Sequence, residues 1–388
     1  MKLSLIIAAA GLLCSSVLAS PTNAASGKFG EDAMEILGSL NKEAVQALKD
    51  SGSSGECTLE NAMRRKDWNR MRKKERKNYI KAVECLFDLP AKTRGFAHGA
   101  RTRHDDFVAV HINQTLVIHQ TGNFLTWHRY FVWVYEKTLR DECGYKGAQP
   151  YWNWFENADD LTKSPVFDDS DASLGGDGEY WEHNGTLVGV PGRQMLLPSG
   201  AGGGCIQSGP FKDVTINLGP VVPGMQGYEP ISSDPYANNP RCLRRDLTSS
   251  ATEDWMTAEA LLNLTVGDAS GSIALFQQEL QGRPNDYYLG VHSSGHFAAG
   301  GDASDFYTST NDPSFFLHHA MVDHVYWLWQ SLHLDRAGEI AGTITMFNAP
   351  PSREAVKEDV LDVKVLAEEI TIADALSTMG GKFCYIYE

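Results

Sequence analysis

Six of the twelve histidines in this chain fall into two groups of three, His111, His119 and His128 in one and His292, His296 and His319 in the other, at spacings that suit helix faces. His292 and His296 stand four apart, so on a helix both imidazoles share one face about one turn apart, as two ligands of a single metal ion would. Such pairs also arise by chance on exposed helices. His319 lies in the run Asp312-Pro313-Ser314-Phe315-Phe316-Leu317-His318-His319, where Asp312 is a good N-cap and Pro313 a natural first helical residue. The helix that starts there carries Phe315, Phe316, Leu317, Val322, Tyr326, Trp327 and Trp329 on nearly all sides. It should be buried, and its histidines then need hydrogen-bond partners or a metal. Asp323, one turn beyond His319, is placed to accept from an imidazole N–H or from a neighbouring basic group. His128 sits in the equally apolar stretch Phe124 to Trp133, and His119 follows Leu116-Val117-Ile118. One such histidine is ordinarily a satisfied core residue, but six in two groups of three point to metal.

The residues between the histidines narrow the choice. Zinc proteases use His-Glu-x-x-His with the Glu as general base, whereas Ser293-Ser294-Gly295 separates this pair. Di-iron bundles need bridging carboxylates and Glu-x-x-His, and no histidine here has a Glu three residues before it. Copper suits imidazole and stands high in the affinity order. Two Cu(I) ions together supply two electrons to dioxygen, and three ligands apiece leave positions for oxygen and a substrate hydroxyl.

Helices must position these groups. Glu31 to Phe87 has an amphipathic helical pattern, Asp105 to Glu142 holds two further apolar helical segments, the pattern resumes from Thr252 to Gln281, and Asp312 to Leu334 is the clearest helix. Residues 168–240, with the glycine-rich run Ser199 to Gly204, read as a long irregular excursion. The two histidine groups flank it and must meet, so it is an insertion within one domain spanning 20–388, not a boundary. Val363 to Tyr387 is rich in β-branched and aromatic residues that could add a small sheet.

Lys2 followed by the apolar run Leu3 to Leu18 and ending in Val17-Leu18-Ala19 reads as a signal peptide over residues 1–19, which predicts a secreted, extracellular protein. No stretch is long and apolar enough to predict a membrane span. Cys57, Cys85, Cys143, Cys205, Cys242 and Cys384 then form an even set in an oxidising compartment, which predicts three disulfides. Cys205 with Cys242 is the expected pair, because they bracket a Gly/Pro-rich segment. Asn113, Asn184 and Asn263 begin glycan acceptor triplets. A net charge of -15 argues against binding nucleic acid, and the basic run Arg64 to Lys77 reads as a solvated helix face.

The sequence resembles the type 3 copper family of tyrosinases, catechol oxidases and haemocyanins, most nearly the short secreted fungal polyphenol oxidases. Trp127-His128-Arg129 is similar to the end of the family's first copper motif, Asp312-Pro313-Ser314-Phe315 with His318-His319 and Asp323 to the end of its second, and Pro150-Tyr151-Trp152-Asn153-Trp154 to the aromatic stretch after the first. The resemblance implies a mainly α domain, an antiparallel four-helix bundle with long loops and minor β structure, holding two copper ions and using dioxygen as co-substrate. It implies that His111, His119 and His128 bind one copper and His292, His296 and His319 the other, with His318 behind them. His98 and His104 are the alternatives to His111, which is preferred because Phe107-Val108-Ala109-Val110 gives it a buried helical approach, whereas the other two lie in an Arg-rich stretch expected to be exposed.

The resemblance further implies oxidation of o-diphenols to o-quinones. Full tyrosinase activity with monophenol hydroxylation is the alternative, and a haemocyanin-like oxygen carrier the distant one. Three departures stand out: Val117 where many fungal members have a cysteine linked to a ligand histidine, Ser293 where many tyrosinases have Asn, and His324 where Arg or Lys is usual. Ser293 should hold a proton-accepting water less well than Asn. Phe306, or Tyr307 beside it, is the expected substrate gate over the second copper.

Overall fold

The computed structural model describes residues 26–52, 55–190, 192–283 and 286–388, so the expected signal peptide at 1–19 lies outside the described residues. The chain is mainly helical: α1 Ser26–Ser51, α2 Lys73–Asp88, α3 Arg103–Ile118, α4 Phe124–Cys143, α5 Ser250–Trp255, α6 Ala258–Thr265, α7 Ile273–Gln281, α8 Gly290–Ala299 and α9 Ser314–Leu332. None is long and apolar enough to cross a membrane.

Local chemistry sets the helix ends. Thr102 Oγ1 accepts from the Asp105 N–H while the Asp105 carboxylate accepts from the Thr102 N–H, a reciprocal cap that starts α3. Gly144 at φ 69° ends α4 in the left-handed region. Asp312 accepts from the Ser314 N–H at 2.9 Å and starts α9, as its sequence predicts, and both its oxygens are held by Arg245 at 3.0 Å. The pattern read over Thr252–Gln281 is broken into three helices, because Thr257 and Ser272 each cap a new start.

Four of these helices carry the histidines. α4 packs along α9, α3 lies against α4, and α8 lies against α9, while α1, α2, α6 and α7 surround them. The aromatic stretch after α4 closes the base, where the Trp152 N–H donates to the Leu317 carbonyl of α9 at 3.0 Å. The insertion carries more regular structure than its composition suggests. Antiparallel pairs join 178–180 to 203–206 and 186–190 to 193–197, and a third joins 215–216 to 241–242. The tail supplies the expected β structure as two separate ladders, 360–361 with 370–371, and 385–387 in parallel with 63–65.

That parallel strand overturns one expectation. Glu31 to Phe87 is not a continuous helical region, and Arg65, read as part of a solvated face, is fully buried. Its guanidinium reaches Glu136 of α4 at 2.6 Å and Asp323 of α9 at 3.1 Å, and Asp323 also accepts from Arg129 Nε, Tyr385 Oη and Tyr387 Oη, each at 2.6 Å. Burial alone would push the Asp323 carboxyl up, but Arg129 and Arg65 outweigh it and hold it below the usual carboxylate range. Asp323 thus serves basic groups and tyrosines rather than an imidazole. Disulfides Cys57–Cys384, Cys85–Cys143 and Cys205–Cys242 account for all six cysteines among the described residues, including the expected pair.

Removing one member of a buried charge cluster strands the others, so Asp323→Ala should lower unfolding stability by about 3–5 kcal/mol in denaturant titration. Thiol titration of the denatured, unreduced protein without residues 1–19, and so without Cys14, should find no reactive group. Two or more free thiols would contradict the three disulfides.

Candidate metal centre

The structure brings the predicted histidines together in two clusters, His111 with His119 and His128, and His292 with His296 and His319, each with ligand-capable atoms within 4.8 Å of one another. His111 lies on α3, His128 on α4, His292 and His296 on α8 and His319 on α9. His119 is not on a helix face, because it forms the C-cap of α3 with extended backbone. The clusters lie side by side: the rings of His128 and His319 stack at 4.5 Å, and those of His119 and His292 are 6.2 Å apart.

Ring orientation follows from hydrogen bonds to main-chain carbonyls, which can only accept. Nδ1 of His119 donates to Thr115 O at 2.9 Å and Nδ1 of His128 to Phe124 O at 2.8 Å, each one turn back in its own helix. Nδ1 of His111 donates to Tyr307 O at 2.8 Å and Nδ1 of His296 to Ala303 O at 3.2 Å. A neutral imidazole with its proton on Nδ1 presents a bare lone pair on Nε2. Nε2 of His111 and of His128 are buried without a hydrogen-bond partner, and Nε2 of His296 lies 3.3 Å from that of His292 and 3.1 Å from that of His319. Converging lone pairs in an apolar setting fit a soft or borderline cation and little else. Burial keeps the rings neutral, with His111 lowered to about 3, His119 to about 4, and His128, His292, His296 and His319 well below the usual histidine value.

His318 lies close enough to join the second cluster, but both its nitrogens are engaged. Nδ1 accepts from Trp154 Nε1 at 2.9 Å and Nε2 donates to the His292 carbonyl at 2.8 Å. It braces α8 from behind. Gly295 makes room for it, since a Cβ there would sit 2.2 Å from the His318 ring. Of the alternatives to His111, His98 is exposed beside Asp234. His104, expected to be exposed, is fully buried, stacked on Phe87 at 4.2 Å and bonded through Nε2 to Asn311 O. His324 bonds Asn41 and stacks on Tyr387, away from the clusters.

A cleft of about 940 Å³ opens over His119, His292 and His296. Phe306 lines it with its ring 5.0 Å from His119, so this aromatic borders the first cluster rather than covering the second, while Tyr307 contributes the carbonyl that orients His111. Ser293 also lines it, but its hydroxyl donates to the Gln281 carbonyl at 2.9 Å.

Asp305 is a positioning residue that the sequence reading missed. Its buried carboxylate accepts from the Tyr307 and Thr308 N–H groups at 2.9 Å and from those of Val221 and Val222 at 2.7 and 2.8 Å. It therefore ties the loop that orients His111 and His296 to the insertion. The only local signal was an Asp two and three residues before the amides it caps.

Comparison with known proteins agrees with this geometry. The common central domain of tyrosinase matches residues 101–332. Tyrosinase P of Aspergillus terreus is 39% identical over 332 residues, 83% of this chain and 91% of that protein. An N-acetyl-6-hydroxytryptophan oxidase of Emericella nidulans is 36% identical over 371 residues, 92% of this chain and 100% of that protein. Among solved structures, a variant polyphenol oxidase from Thermothelomyces thermophila is 37% identical with a TM-score of 0.82, covering 94% of this chain and 97% of its own.

The depressed histidines set a pH dependence. Between about pH 4 and the ordinary histidine value near 6.5 the unfolded chain takes up protons that the folded core refuses, so folding stability falls as pH falls through that window. Denaturation of metal-free protein should therefore show a clear loss from pH 7.5 to pH 5. Asp305→Ala, which strands buried amides, should lower stability by at least about 3 kcal/mol and reduce copper retention during dialysis.

Proposed function

Because the chain belongs to the tyrosinase family, whose members hold a pair of copper ions in histidine clusters, we propose that it is a secreted oxidase that converts o-diphenols to o-quinones. The observation that carries this reading is the pair of neutral, buried imidazole clusters facing one open cleft. His111, His119 and His128 would hold one copper, and His292, His296 and His319 the other. Bound there, the metal pair supplies a two-electron path from the diphenol to dioxygen, so that two diphenols yield two quinones and one dioxygen yields two waters.

The protein's own part is orientation and exclusion. Main-chain carbonyls fix the rings of His111, His119, His128 and His296, Phe306 narrows the approach beside His119, and the cleft admits a flat aromatic ring. This open access favours an oxidase over an oxygen carrier. Preference for diphenols over monophenols rests on the lack of a poised base. Among the described residues the acids lining the cleft are Glu229 and Asp305, and Asp305 is committed to backbone amides. The Ser293 hydroxyl is committed to Gln281 O. An o-diphenol is more acidic than a monophenol and can bridge both metals, so it depends less on such a base.

Secretion is part of the same reading and draws on the leader-like start and three disulfides. Asn113 and Asn184 are exposed and suited to N-glycans, whereas the half-buried Asn263 uses its amide oxygen on the Ala269 N–H.

The purified protein should contain two coppers per chain and consume oxygen with catechol, and His128→Ala or His296→Ala should abolish turnover while circular dichroism stays near wild type. One zinc and no copper would overturn the reading. Dopamine should be oxidised promptly and tyramine slowly and after a lag. Ser293→Asn should raise the tyramine-to-dopamine rate ratio, and equal initial rates in the wild type would mean a full tyrosinase.

A further inference from the structure

On the reading that this site oxidises diphenols, we infer that its substrate carries an extended, uncharged apolar substituent on the ring, away from the hydroxyl pair. The cleft is near the upper end of the range that encloses drug-sized ligands, far more than a bare catechol fills. Its outer wall is apolar. Leu116, Leu187, Val222, Tyr287, Phe306 and Phe347 all line it, and each is 36–53% exposed. Singly exposed apolar side chains are ordinary, but six from separate stretches of chain lining one cleft mark a binding surface. The same cleft is lined by Val188, Met225 and Phe297 and by His292 and His296. A ring bound at the histidines thus directs any substituent along this wall.

Charge selects in the same direction. No Lys or Arg is among the described residues that line the cleft. Its two acids differ in role, since Asp305 is bonded to four backbone amides and Glu229 is exposed at the rim. A substrate carboxylate would leave water without meeting a cation and would face Glu229 in a chain of net charge -15. Part of the wall belongs to the insertion, through residues 187–189, 194–195 and 221–230. That segment therefore helps to set which phenol is accepted, together with Leu116, Tyr287, Phe306 and Phe347.

The test is a substrate series on the copper-loaded protein: catechol, 4-methyl-, 4-butyl- and 4-hexylcatechol, with 3-(3,4-dihydroxyphenyl)propionate as the charged counterpart of the butyl compound. KM should fall about two- to four-fold for each methylene that reaches the wall, with kcat nearly constant, and the propionate should have a KM at least about ten-fold above that of butylcatechol. Val222→Asp should raise KM for hexylcatechol much more than for catechol. A KM flat across the series, or equal for the propionate and the butyl compound, would overturn the inference. Calorimetric binding of the same compounds to the reduced, oxygen-free protein reads the wall without turnover. Failure of catechol oxidation itself would then count against the proposed activity alone.

Discussion

An imidazole buried among apolar side chains must stay neutral, and a neutral imidazole has one proton to give and one lone pair to offer. Where the proton goes decides where the lone pair points. In His111, His119, His128 and His296 the proton is given on Nδ1 to a main-chain carbonyl. The Nε2 lone pairs are thereby aimed inward by the backbone itself.

The acceptors divide into two kinds. His119 and His128 use carbonyls four residues back, so forming the helix orients the ring. His111 and His296 use Tyr307 and Ala303, on a single loop between α8 and α9. That loop has no regular ladder and is fastened by carboxylates. Asp305 caps its amides and those of Val221 and Val222, while Asp302 accepts from Arg241 at 2.6 Å and from the Arg244 N–H at 2.8 Å. One loop thus orients a ring in each cluster, carries Phe306 into the cleft and is moored to the insertion that forms part of the cleft wall. The cleft wall and the histidine clusters are mechanically continuous.

Beneath the clusters a second polar network joins distant ends of the chain. Asp323 gathers Arg65, Arg129, Tyr385 and Tyr387, drawing the first and last strands onto α4 and α9, and Cys57–Cys384 fastens the same junction. Arg129 follows His128, and Asp323 lies one turn from His319, so this network sets how α4 and α9 meet and hence the 4.5 Å stacking between rings of opposite clusters. His318 does the same for α8, bridging Trp154 and the His292 carbonyl across the space left by Gly295.

Sequence alone determined the parts that depend on neighbours along the chain. The start of α9 at Asp312-Pro313, the apolar helices around His128 and His319, the i, i+4 pair His292/His296 and the pairing of Cys205 with Cys242 were legible because caps, periodicity and short bracketing are local. Tertiary structure decided everything that required partners far apart. Arg65 looks like its basic neighbours Arg64 and Lys66, and only the arrival of Glu136 and Asp323, 71 and 258 residues later, makes burial favourable. His104 shares an Arg-rich stretch with His98, yet Phe87 and Asn311 enclose one and leave the other in solvent. Asp305 gave no pattern beyond a short turn, and the apolar cleft wall could not be read from a Gly- and Pro-rich insertion. A buried charge or an orienting carbonyl is stabilised by three-dimensional enclosure, and enclosure has no period in the sequence.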